Sequence, residues 1–343
     1  MQAVIIEQFG GPETLKAVQL PDPKPKPGEV LLRVRACALN HLDIWVRNGI
    51  PAYKIQLPHI LGCDVSGEVA ALGEGVNSIK IGQRVAVSPG RSCLKCESCL
   101  GGLDNQCKEY AIVGAQGGPG GYAEFLCVPQ GHLLAMPDNQ SYEEAAAYPL
   151  TFLTAWHMLM TLSSCGPDKI VLVLGAGSGI GVAAIEVAKL SGAKVIAVST
   201  SAEKLERAKA LGADATIHSP PQDILRQTMK ITEGSMADIA FEHVGPATFE
   251  SSLKSLKPGG RLVTCGATTG PMVSLDLRYV FSRQLQILGS SMGTQQEMRR
   301  VARLVAQGKL RPLVDRVFPL SKARQAHEYL AEKKHFGKVV LKI

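Results

Sequence analysis

Aromatic side chains are scarce in this chain, 5% of 343 residues, and the few present do not interleave with its basic residues. A surface that stacks on nucleic-acid bases is therefore not expected, although the net charge is +7. No apolar run is long and clean enough to cross a bilayer. Residues 145–162, AAAYPLTFLTAWHMLMTL, come nearest, but Pro149, His157 and other polar positions interrupt them. They read as a buried helix that opens a domain. The opening MQAVIIEQFG lacks the basic n-region of a signal peptide. A disulfide framework is missing too. The nine cysteines are odd in number, and Cys37, Cys63, Cys127, Cys165 and Cys265 lie scattered in apolar segments. Reduced thiols in a soluble, cytoplasmic protein without membrane association are expected.

What is present divides in two, as expected for a chain too long for one core. Residues 1–150 carry short alternating runs such as EVLLRVRACAL and QRVAVSPG, closely punctuated by Gly, Pro and Asn. That pattern predicts a barrel-like all-β domain. From Lys169 strands alternate with helices: KIVLVLGAG, then IGVAAIEVAKLSGA, then KVIAVST, then EKLERAKALGA. This predicts a doubly wound parallel sheet over 151–289. Residues 290–343 leave the pattern and end in a strand, GKVVLKI, that returns to complete the first domain. From Arg299 onward twelve Lys or Arg face only Asp315, Glu328 and Glu332. A solvated helix face is the default reading, and attraction of a phosphate-bearing ligand the functional one.

The strand ending at Leu174 runs through GAGSGIG directly into a helix. The spacing is G-x-x-x-G-x-G rather than G-x-G-x-x-G, but its place between strand and helix makes Gly175, Ser178, Gly179, Ile180 and Gly181 a pyrophosphate cradle. At the end of the second strand an NAD enzyme places Asp or Glu. Here stand Ser199, Thr200 and Ser201, with Lys204 a turn later. Loss of the carboxylate removes repulsion of a 2′-phosphate, which hydroxyls and a lysine can bind. NADP(H) is the expected cofactor, and capping of the next helix by Ser201 is compatible with it.

Four further cysteines, Cys93, Cys96, Cys99 and Cys107, fall within fifteen residues. The C-x-x-C spacings suit one tetrahedral zinc, and four thiolates leave it no open position for chemistry. With this lobe, GGYAEF, the LTAW helix, the dinucleotide unit and the closing FGKVVL in that order, nearly the whole chain resembles the medium-chain dehydrogenase/reductase superfamily. The resemblance implies a GroES-like domain, a Rossmann domain, a structural zinc in the lobe and a homo-oligomer, either a dimer or a tetramer. Zinc alcohol dehydrogenases of that family hold a second, catalytic zinc in C-[HR]-[ST]-D, G-H-E and a later Cys. Here those places read Asn40-His41-Leu42-Asp43, Gly62-Cys63-Asp64 and Leu150. Two ligands are lost, and Leu42 replaces the relay hydroxyl. A rearranged set from Cys37, His41, His59 and Cys63 is the alternative for a metal.

Asn40 with Asp43 resembles the quinone oxidoreductase and enoyl reductase branches. The resemblance implies hydride transfer from NADPH to a small electrophile, an activated C=C or a quinone. It places His41 near the pyrophosphate, Thr154 near the nicotinamide and Lys338 near the ribose, with Val244 and Gly266 also lining the cofactor. Asn40 and Asp43 are the catalytic candidates, and Tyr53 is a candidate proton donor whose plainer role is a packed loop tyrosine. Where relatives read NADPH with a tyrosine after the third strand, this chain has Ser219. The alternatives are a zinc-containing alcohol or carbonyl dehydrogenase and a non-catalytic NADPH-binding protein.

Overall fold

A computed structural model describes residues 1–343 except 52, 219, 221 and 222, so Ser219 lies outside the described residues. One unit comprises Met1–Leu150, Thr294–Gly308 and Pro312–Ile343, the other Thr151–Gly293 and Lys309–Arg311.

The first unit is organised around the strand Glu29–Ala38. Its alternation buries Val30, Leu32, Val34 and Ala36 on one face, as period-two pleating requires. This strand pairs antiparallel with Asp64–Leu72, with Phe125–Pro129 and with the terminal strand Lys338–Lys342. Ala38 lies opposite both Asp64 and Val340, and the Leu39 N–H reaches the Val339 carbonyl at 2.8 Å. Three segments remote in sequence therefore deliver their ends to one spot. The chain then turns into the helix His41–Asn48. Asn40 is its N-cap, and the Asp43 carboxylate accepts the Asn40 N–H at 2.7 Å. Gly49, at φ +85°, ends it in the left-handed conformation that favours glycine.

The second unit holds a six-stranded parallel sheet of β1 (Ile170–Val173), β2 (Lys194–Ser199), β3 (Ala215–His218), β4 (Ala237–Glu242), β5 (Leu256–Thr264) and β6 (Gln286–Gly289). Their order is β3-β2-β1-β4-β5-β6, and the helices Gly179–Leu190, Ala202–Ala210, Ile224–Ile231 and Phe249–Lys254 connect successive strands from β1 to β5. Strands covered on both faces read as continuous apolar runs, and every residue of β4 is buried. The order reverses between β1 and β4, the switch point where such sheets bind ligands beyond their carboxyl ends. Residues 149–162 form the helix Pro149–Trp156 and a π-helical continuation, His157–Leu162. Among the described residues no helix is long and apolar enough to cross a membrane.

Candidate functional site

The cysteine lobe begins just past the short strand Gly90–Arg91 and turns through the helix Glu97–Leu100. It gathers the four sulfurs into one cluster. Sγ–Sγ separations are 3.5 Å for Cys96–Cys99 and Cys93–Cys107, 3.8 Å for Cys96–Cys107 and 3.9 Å for Cys93–Cys99. A tetrahedron of sulfurs at about 2.3 Å from a central zinc has edges of about 3.8 Å. The donor set fits that ion in spacing and in chemistry. Backbone N–H groups of Lys95 and Cys96 hydrogen-bond the Cys93 sulfur and bring its thiol down to about 6, which favours the thiolate a metal needs. The Glu109 N–H also hydrogen-bonds the Cys107 sulfur, at 3.3 Å. Among the described residues this is the only group of three or more His, Cys, Asp or Glu side chains that converges so. Cys37, His41, His59 and Cys63 are not gathered: the His59 ring is bonded to the Gly114 carbonyl at 3.0 Å, and Cys37 is packed under Gly62 and Gly121.

A different constellation fills the place where the resemblance puts a catalytic metal. Asn40 Nδ2 donates to Asp64 Oδ2 at 2.8 Å and lies 3.4 Å from Cys63 Sγ. The Lys338 ammonium donates to Asn40 Oδ1 at 2.5 Å and to Asp64 Oδ2 at 3.0 Å. The Leu150 N–H donates to the other Asp64 oxygen at 2.8 Å. Asp64 is fully buried, Lys338 is 4% exposed and Asn40 6%. The charges are thus desolvated but answered by hydrogen bonds, the condition under which a buried pair survives. Asp43, 1% exposed, also accepts the Gly62 N–H, at 3.0 Å, so it fixes the turn that carries Cys63. Burial pushes the Asp43 carboxyl up to about 7 against the pull of those N–H groups and of Lys338. Burial also pushes the Cys37 and Cys63 thiols well above their ordinary range, which keeps them protonated. Tyr53 is half-buried, and burial raises its phenol.

In the second unit β1 ends in the glycine loop. Gly175 has φ +58°, and a Cβ there would meet the His243 ring at 2.9 Å. A Cβ on Gly181 would meet the Gly175 carbonyl at 2.4 Å, so glycine alone lets the helix Gly179–Leu190 start this close to β1. Ser178 caps that helix by accepting the Gly181 N–H at 3.0 Å, and Gly179 and Ile180 form its first turn. The Ala176 N–H bonds to the Val198 carbonyl at 3.0 Å, which ties the loop to the end of β2. There Ser199 Oγ accepts the Ser201 N–H, Thr200 is exposed and its carbonyl bonds His218, and Ser201 caps the helix that carries Lys204. This arrangement fits a dinucleotide with its pyrophosphate at the helix N-terminus.

Two residues that the sequence reading passed over brace the loop and the segment that follows β4. His243 follows β4, with its Nε2 2.9 Å from the Leu174 carbonyl and 3.3 Å from Ser178 Oγ. Fully buried Glu242 accepts from the Val244 and Gly245 N–H groups and from the Thr248 and Ser252 hydroxyls. Their only sequence signal is polar residues closing an apolar strand. Val244 and Gly266 follow β4 and β5, and a Cβ on Gly266 would meet the His243 carbonyl at 3.1 Å. Thr154 is buried, with its hydroxyl 3.9 Å from Met292 Sδ, and the half-buried His41 ring stands edge-on to Trp45. Lys338, expected near a ribose, is bonded to Asn40 and Asp64.

Residues 26–138 match the alcohol dehydrogenase GroES-like domain, and residues 179–307 match the zinc-binding dehydrogenase family. An alcohol dehydrogenase of Geobacillus stearothermophilus is 33% identical over the full length of both chains. A crotonyl-CoA reductase of Streptomyces avermitilis is 32% identical, covering 97% of this chain and 84% of its own. The crystal structure of an NAD-dependent alcohol dehydrogenase superposes with a TM-score of 0.96 at 47% identity, covering both chains completely.

Proposed function

The chain belongs to the medium-chain dehydrogenase/reductase superfamily, as a zinc-type, GroES-like and Rossmann oxidoreductase, and from that premise we propose that it is an NADPH-dependent reductase of activated C=C bonds or quinones. One observation carries this reading: Asn40, Cys63, Asp64 and Lys338 are bonded to one another at the place where the resemblance puts a catalytic metal. A protonated thiol, an amide and an ammonium ion do not make a Lewis-acid site. An enone, enoyl thioester or quinone needs less help, because conjugation carries the incoming electron pair onto an oxygen. Bound NADPH supplies the hydride. The chain supplies the rest: Asn40 and Asp43 hold the constellation rigid, and Tyr53 is the candidate donor of the proton that completes reduction. The Streptomyces relative's name, a reductase of an enoyl thioester, supports the same substrate class.

The alternative is oxidation of an alcohol with metal assistance; the names of the other two relatives favour an alcohol as substrate. Steady-state oxidation of NADPH with 9,10-phenanthrenequinone, 1,4-benzoquinone and crotonyl-CoA, beside NADP⁺ reduction with primary and secondary alcohols, separates the two. Chelator-sensitive alcohol oxidation exceeding enone or quinone reduction overturns the proposal. A binding protein without catalysis would turn over none of them.

NADPH preference rests on Ser199, Thr200 and Lys204 at the end of β2. Lys204→Ala is expected to weaken NADPH by roughly 1–3 kcal/mol, the range of hydrogen bonds to charged groups, and to leave NADH little changed. Ser199→Asp should erase the preference. Equal kcat/KM for both cofactors in the parent protein removes this part of the reading. We further propose a homodimer through β6, an edge strand beside the helix Leu277–Ser282, where Leu277 and Phe281 are 67% and 69% exposed. A monomeric mass by light scattering would contradict it.

A further inference from the structure

The parallel sheet of the second unit has a second polar edge. All six strands run the same way, so Lys169, Asp238 and Lys257 gather at the amino ends of β1, β4 and β5, away from the glycine loop. A cavity of about 140 Å³ opens there, lined by these three residues together with Ser163, Ser164 and Arg261. Three cations face one carboxylate. Lys257 Nζ is 2.5 Å and Lys169 Nζ 3.4 Å from the same Asp238 oxygen, while the other Asp238 oxygen accepts the Ile170 N–H at 2.9 Å. Asp238 thus compensates one positive charge and leaves two.

Two groups in the lining are unspent. Arg261 makes no ion pair among the described residues, and its Nη1 has only 3.4 Å contacts to the Leu162 carbonyl and Ser164 Oγ. Both lie at the long limit for a hydrogen bond. Ser163 is 2% exposed, and its hydroxyl has no partner among the described residues. A buried hydroxyl without a partner is destabilising and calls for an occupant. Water could meet the Ser163 hydroxyl, but it would leave the guanidinium fork and the excess charge unanswered. A dianionic oxyanion answers all three, with oxygens for the fork, a lone pair for the hydroxyl and charge equal to the surplus. The volume exceeds the roughly 30 Å³ share of one water several times over.

We propose that this cavity is a binding site for phosphate, free or as a phosphomonoester, separate from the dinucleotide. Because the glycine loop lies past the opposite ends of the strands, the two ligands bind together rather than compete. The test is calorimetric titration of inorganic phosphate into the full chain already saturated with NADPH, at ionic strength held constant with chloride. The expected result is saturable binding of one equivalent, weakened about tenfold by Arg261→Gln and several-fold by Ser163→Ala, and unchanged by Lys204→Ala. Arg261→Lys keeps the charge but loses the fork, and it should fall between parent and Arg261→Gln. Glycerol 3-phosphate in place of phosphate distinguishes an esterified from a free ligand. If Arg261→Gln does not fold, Lys257→Gln serves instead, with the same expected loss. No heat beyond that of chloride, binding abolished by NADPH saturation, or equal affinity in parent and variants overturns the proposal. The result does not depend on which substrate the enzyme reduces.

Discussion

The cysteine lobe and the Asn40 constellation occupy the two places where the resemblance in sequence puts zinc, and they solve opposite problems. In the lobe four sulfurs point at one another 3.5–3.9 Å apart, a repulsive arrangement for thiolates that a dication resolves. In the constellation the polar groups satisfy one another, with the Lys338 ammonium supplying the cation. A metal site is therefore recognised less by its residues than by whether their donors are left unanswered. Cys63 is the plain case: it is a cysteine at a ligand position, but burial keeps its thiol protonated and Asn40 lies at its sulfur.

The largest expected effect follows from the lobe. One tightly held zinc per chain should remain after exhaustive dialysis, because folding and metal binding share one free energy in a closed Cys₄ site. Removing it by chelation, or substituting Cys96→Ser, should lower Tm and loosen the lobe far more than it changes the chemical step. Metal analysis decides this. Two tight zincs, or none in protein purified without chelator, would erase the contrast between the two regions.

Lys338→Met should cost about 3–5 kcal/mol in denaturant unfolding, because Asp64 would be left as a buried, unpaired charge. Adding Asp64→Asn should recover much of the loss, since the charge leaves with its partner. A Lys338→Met protein as stable as the parent would mean that the ammonium is not what closes this region.

The two regions also differ in how far the sequence discloses them. The lobe was legible because its four ligands fall within one short loop, where spacing alone limits the geometry. The order of strands and helices was legible for the same local reason, as periodicity changes from two to about 3.6 near Lys169. The constellation was not. Asn40 and Asp64 are 24 residues apart, and Lys338 is 298 from Asn40. Only the pairing of Glu29–Ala38 with both Asp64–Leu72 and Lys338–Lys342 brings them together. Lys338 could be expected near a ribose by resemblance, but no local pattern announces an ion pair with Asp64. His243 and Glu242 escaped for a similar reason, since their partners lie on the glycine loop and on the segment after β4.

The smallest effect distinguishes the regions by pH. In the lobe protons compete with zinc for sulfur, so acid weakens it. In the constellation acid should act the other way through Asp43. Its carboxyl titrates at about 7 in the folded protein, against about 3.9 for an unperturbed Asp, because burial disfavours the charge. Between those values the folded state holds the proton more tightly than the unfolded state does. The contribution of Asp43 to stability is therefore complete below about pH 4 and is lost as pH rises through about 7, with a slope of at most about 1.4 kcal/mol per pH unit. Asp43→Asn removes that titration while keeping a side-chain oxygen that can accept the Asn40 or Gly62 N–H. Unfolding free energy measured from pH 4.5 to 7.5 in protein kept zinc-loaded should fall with pH more steeply in the parent than in Asp43→Asn. Parallel curves would show that Asp43 is ionised throughout, held by its N–H donors and Lys338 against the pull of burial, and the pH contrast between the two regions would disappear.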